Sequence, residues 1–240
     1  MALTLLQFLN GLSSIILVVI FTFVGIVIAF KYRKTKDRTY IFFGASWIGV
    51  VEAYYAVSIS FIVSFFNGVG LTPEIYFLVG VTLYPLSTLI WLTAFTDIKF
   101  KSKQLIIQLI FVVIGAIFEV IFFYLFFTAP SLLGTLYSPV DSKFGIVILI
   151  YILFSLCVIF VTGMIFSILS IKSDNREHRL RGIFLSITLI IFVFGSIFDA
   201  LELSIIVLTV VRILLIFSAL TFYIAFILPN WAKKLFLKQK

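Results

Sequence analysis

Five ionisable residues fall inside or at the edge of long apolar runs: Glu52, Glu119, Asp199, Glu202 and Arg212. Three of them share one stretch, SIFDALELSIIVLTVVRILLIF, from Ser196 to Phe217. A charge at membrane depth costs at least ~2–3 kcal/mol against lipid, so such groups face a bundle interior or water. There they relay protons, meet a ligand or pair with one another. Arginine suits pairing, because its fork takes two acceptors and stays charged when buried. Four acids against one base cannot all remain ionised in low dielectric, so at least one carboxyl is expected to be neutral.

The elements that must carry these groups follow from composition. The chain has 240 residues, 63% of them hydrophobic and 12% charged, with a mean hydropathy of +1.27. That is about half the charge of an ordinary soluble domain. The apolar runs are continuous rather than alternating, which selects an all-α polytopic membrane protein over a β-barrel. Seven spans of ~20 residues or more are expected, at about 5–30, 39–66, 75–96, 105–127, 145–171, 182–202 and 205–228. The last two form one apolar block, divided at DALELS. Pro85 should kink the third span, where it removes a backbone hydrogen bond, and no other span contains an evident break.

Loop charge sets the expected orientation. KYRKTKDR (31–38), DIKFKSKQ (97–104), KSDNREHRLR (172–181) and AKKLFLKQK (232–240) are basic. The loops at 67–74, 128–144 and 203–204 hold one lysine between them. The positive-inside rule then places the N-terminus outside and the C-terminus inside a cell membrane. The net charge of +8 reads as topology, anionic-lipid contact and a surface for a cytoplasmic partner; it does not argue for nucleic acid.

Counting at 1.5 Å per residue puts Glu52 and Glu119 roughly 20 Å from the inner face and Arg212 about 10 Å below the outer one. Asp199 and Glu202 lie slightly higher, so the five charges form one layer in the outer half. Helical spacing adds Tyr55 to the face of Glu52, with Ala45, Gly49 and Ala56. It aligns Tyr84, Thr88, Trp91 and Phe95 on the third span, and Gln108, Gly115 and Glu119 on the fourth. These stripes either converge on an outward cavity for a small ligand or a proton, or serve ordinary helix packing. Asp199 and Glu202 either belong to the layer or form a wet turn, and Arg212 either lines a site or staples two helices. An Asp199–Arg212 contact is expected, with Glu202 as the wetter alternative.

Several activities are argued against. One cysteine, Cys157, and one histidine, His178, in a loop, leave no metal or cofactor site and no Ser–His or Cys–His pair at membrane depth. No lysine lies within a span to bind retinal. A non-enzymatic protein without a cofactor is expected.

The end of the last span, FYIAFILPNWAKKLF (222–236), resembles the close of prokaryotic seven-helix sensor modules, such as those at the N-terminus of some histidine kinases. There an aromatic-rich helix ends in Pro–x–Trp and basic residues. The resemblance implies a receptor-like or sensory protein whose output passes through a separate partner, and it implies no particular site residue. The same carboxylates would also serve a small-solute transporter or a proton or cation pathway. Used only as staples, they would fit a membrane scaffold.

Overall fold

The computed structural model describes residues 3–201 and 205–237. Its helices follow the apolar runs closely, because each run is long enough to satisfy its backbone internally. They are α1 (Leu5–Phe30), α2 (Thr39–Gly49), α3 (Glu52–Asn67), α4 (Pro73–Val81), α5 (Tyr84–Lys99), α6 (Gln104–Thr128), α7 (Ile146–Ile171), α8 (Arg176–Ala200), α9 (Ile205–Ile227) and the short α10 (Asn230–Phe236). Among the described residues, six stretches are long and apolar enough to cross a membrane, and α2 with α3 makes a seventh if that bent pair is one crossing.

Ends are set by local chemistry. Thr4 and Gln7 form a capping box at the start of α1. Asn175 caps α8 by accepting from the Glu177 and His178 amides. Capping there starts α8 at Arg176, six residues before the start expected from hydropathy, because its charged first turns are helical without being apolar. Leu228 in the left-handed region, followed by Pro229, stops α9.

Two helices break. Pro85 has no N–H, and its ring excludes a helical Val81 carbonyl, so α4 ends at Val81 and α5 begins at Tyr84. The second break, at Val50–Val51, contains no proline and corrects the expectation that Pro85 alone interrupts a span. There α3 turns 48° from α2, with Val51 at φ −101°, ψ 21°. Two adjacent β-branched residues weaken the helix locally, and side chains from α3 and α5 take over the backbone groups released.

The helices form a closed ring in which α1 packs on α2 and α9, α9 on α8, α8 on α7, α7 on α5, and α5 on α2. Helix α6 leans on α5 from outside, burying only Gly115, Phe118 and Phe122. Close backbone approach needs glycine at two crossings. A Cβ on Gly25 would lie 2.6 Å from the Gly44 carbonyl oxygen, and one on Gly49 would overlap the Ser87 hydroxyl. The ring's centre is aromatic: Trp47 stacks on Phe222 at 3.7 Å and on Phe21 at 4.9 Å, and Phe43 meets Trp91 edge-on.

Among the described residues, strand occurs only in a hairpin of β1 (Gly134–Ser138) and β2 (Asp141–Phe144), paired antiparallel with a bulge. It occupies the connection read from sequence as an outer loop. It folds over one end of the ring, called here the hairpin end; the basic loops gather at the other.

Candidate functional site

Beneath the hairpin, α3, α4, α8 and α9 converge on a small cavity of about 40 Å³, room for roughly two or three waters. Its wall holds Tyr54, Tyr76, Asp141, Asp199 and Arg212. Arg212 is 3% exposed. Its Nη1 donates to the Asn10 carbonyl and to Ser14 Oγ at 2.6 Å, and lies 3.5 Å from Ser13 Oγ. The guanidinium also stands over the Tyr54 ring, 5.6 Å from its centre.

Asp199 faces Arg212, but Oδ1 is 3.8 Å from Nε, beyond hydrogen-bond reach. Both atoms are buried without a partner. Asp199 Oδ2 instead accepts from the Tyr54 hydroxyl at 2.8 Å. The ion pair is therefore not closed by a hydrogen bond, and both residues line the cavity.

The hairpin is tied over this gap by two bonds. Asn10 Nδ2 donates to the Val140 carbonyl at 3.0 Å, and Ser142 Oγ to Tyr76 Oη at 3.1 Å. Burial pushes the Asp141 carboxyl above the usual aspartate range, Arg212 pulls it down, and Asp199 adds to the rise.

A second polar cluster lies where the two breaks meet. Glu52, 2% exposed, accepts the Leu83 amide on Oε1 at 2.6 Å. In return Tyr84 Oη donates to the Val50 carbonyl at 3.2 Å. Each broken helix thus supplies a side chain that satisfies the other's released backbone, which low dielectric demands. Glu52 Oε2 has no partner. Tyr84 lies within electrostatic range of both Glu52 and Asp199, which links the two clusters.

The expected residues divide accordingly. Asp199 and Arg212 come together at the cavity, and Glu52 and Tyr84 at the paired breaks. Glu119 on α6 is within electrostatic range of Glu52 but makes no ion pair among the described residues, and its buried Oε1 is unbonded. Tyr55 turns away and bonds Thr22 at 2.9 Å, because the break resets the helical phase and brings Tyr54 inward instead. Trp91 belongs to the aromatic centre, donating to Thr162 at 2.9 Å, about two turns from the breaks. Glu202 lies outside the described residues. Among the described residues, Asp199 and Arg212 thus form one cluster and Glu52 and Tyr84 another.

Sequence reasoning missed Asn10, Ser13 and Ser14, although their i, i+3, i+4 spacing already places three polar groups on one face of α1. Tyr54 carried no such signal, since its orientation depends on the break. Among the described residues no cluster of three or more metal-ligating side chains occurs. No protein-family model, curated protein or solved structure matches the chain.

Proposed function

We propose that this chain is a seven-span, receptor-like sensory protein of the cell membrane, non-catalytic, with its N-terminus outside and its C-terminus inside. In this reading α2 and α3 form one bent crossing, and the hairpin end faces out. The placement of the basic loops at the opposite end supports that orientation. The hairpin-end cavity is the sensing site, and its size suits a proton, an ion or a very small polar ligand. The observation that carries the reading is the Asp199–Arg212 pair, 3.8 Å apart without a hydrogen bond, whose two residues line a cavity roofed by the hairpin. A ligand or proton that changes Asp199 alters its bond to Tyr54 and its charge attraction to Arg212, and through Arg212 the α1 residues that hold the hairpin.

A second reading, a proton or cation pathway, is favoured by the paired breaks bridged by Glu52 and Tyr84. Discontinuous helices meeting near mid-depth are a feature of transporter sites. One experiment separates the two. The full chain is reconstituted in liposomes, with a fluorescent label at the exposed position of Tyr137→Cys and with Cys157→Ser. An external pH step should move the label's emission without collapsing a proton or sodium gradient. Gradient collapse blocked by Glu52→Gln would favour the pathway, and a silent label with no flux would remove both readings.

A further inference from the structure

A cavity of about 540 Å³ opens at the basic end, within the ~300–1,000 Å³ typical of ligand pockets. Its floor is apolar, with Phe43, Phe166 and Phe226, and its rim holds Lys31, Arg181 and His178. Lys31 Nζ donates to the Phe226 carbonyl at 2.6 Å, and Arg181 Nη1 to the Ala225 carbonyl at 3.0 Å and to that of Phe226. These are the last carbonyls of α9. A helix C-terminus supplies only about half a negative charge, and the Lys31 and Arg181 groups both rest on this one.

Two acids share the wall, Asp37 within electrostatic range of Lys31 and Glu177 within that of Arg181, and neither forms an ion pair with them. Asp37 Oδ1 is occupied by the Thr39 amide and hydroxyl, at 3.0 Å and 2.7 Å. Glu177 Oε1 is taken by Lys233 at 2.7 Å. Among the described residues neither Lys31 nor Arg181 forms an ion pair. Two cations without an ion pair among the described residues thus face one cavity, beside the Tyr40 and Ser170 hydroxyls and above an apolar floor.

We propose that this cavity binds a phosphate-bearing anion, with the phosphate held between Lys31 and Arg181. Arginine meets phosphate oxygens in a forked, charge-assisted pair, and basic pockets between membrane helices take anionic headgroups. A lipid headgroup and a soluble phosphate ester share this chemistry. The proposal stands independently of the hairpin-end site.

The test titrates the detergent-solubilised full chain with three probes: short-chain phosphatidylglycerol, short-chain phosphatidylcholine and glycerol phosphate. Saturable binding of phosphatidylglycerol or glycerol phosphate is expected, with phosphatidylcholine much weaker. Binding of phosphatidylglycerol alone identifies a lipid site, and equal binding of glycerol phosphate a soluble ligand. Lys31→Gln and Arg181→Gln should each weaken binding about tenfold, the loss of one charge-assisted contact. Should Arg181→Gln fail to fold, Lys31→Gln and Ser170→Phe decide, since the latter fills the cavity and keeps both cations. Equal binding of phosphatidylcholine, no saturable binding, or affinity unchanged in Lys31→Gln and Ser170→Phe would overturn the site.

Discussion

At the hairpin end, Arg212 is locked by the neutral Asn10 and Ser14 oxygens, with one carboxylate 3.8 Å away and about 40 Å³ of space beside it. At the basic end, Arg181 and Lys31 rest on helix carbonyls at the edge of about 540 Å³. Both ends bury cationic groups without a hydrogen-bonded carboxylate. The first does so in a space that admits little more than water, the second in one that admits a molecule. Between them lies a stack of aromatic rings, Phe21, Trp47 and Phe222. The difference indicates that cation burial alone does not define a site's ligand; the volume left beside the charge does.

The comparison breaks most directly at Arg212. Arg212→Leu leaves the Asp199 carboxylate without its counter-charge in a near-dry setting, so it should destabilise the detergent-solubilised protein by ~3–5 kcal/mol. Arg181→Gln, at the open end where water replaces the lost donor, should cost no more than ~2 kcal/mol. Thermal unfolding of the two variants side by side checks the contrast. Equal losses would mean that the two ends are equally sealed.

Next comes Glu52. Glu52→Leu strips the Leu83 amide of its acceptor and should cost ~1–3 kcal/mol, the penalty of an orphaned buried donor. Glu52→Gln keeps an acceptor at the same place, so a loss under ~1 kcal/mol is expected if the carboxyl works as a neutral brace. A large loss in both variants would instead show that the breaks depend on the acid itself. Chemical unfolding in mixed micelles distinguishes these outcomes.

The smallest effect concerns pH. Asp141 holds its proton more tightly in the folded chain than in the unfolded one. Its contribution is therefore fully present below the ordinary aspartate range, near ~4, and is lost as pH rises through the raised folded value. Asp141→Asn should flatten that portion of the stability–pH curve and leave the acid limb unchanged. An unaltered curve would place the Asp141 carboxyl in contact with water.

Much of the fold was legible because membrane helices announce themselves by length and apolarity. α1, α6 and α7 begin and end within one residue of their expected limits. What periodicity could not supply was the break at Val50–Val51, since nothing local forbids a helix there; the group that satisfies the Val50 carbonyl, Tyr84, comes from another helix. That one break moved Tyr55 out of the site and Tyr54 into it. The hairpin was equally hidden, for TAPSLLGTLYSPVDSKF is too short and mixed to read as strand. The pairing of Asp199 with Arg212 was accessible from sequence because a tight connection forces α8 and α9 to run antiparallel at matched heights.

The proposed sensing role rests on Asp199 and Arg212 acting as one coupled pair. A double-mutant cycle on Asp199→Asn and Arg212→Gln, read by thermal stability of the full chain, measures that coupling without assuming a ligand. An interaction of ~1–3 kcal/mol is expected for charges this close in a buried wall. Additivity to within ~0.5 kcal/mol would mean that the two residues act separately, and the hairpin-end cavity would lose its basis as a sensing site.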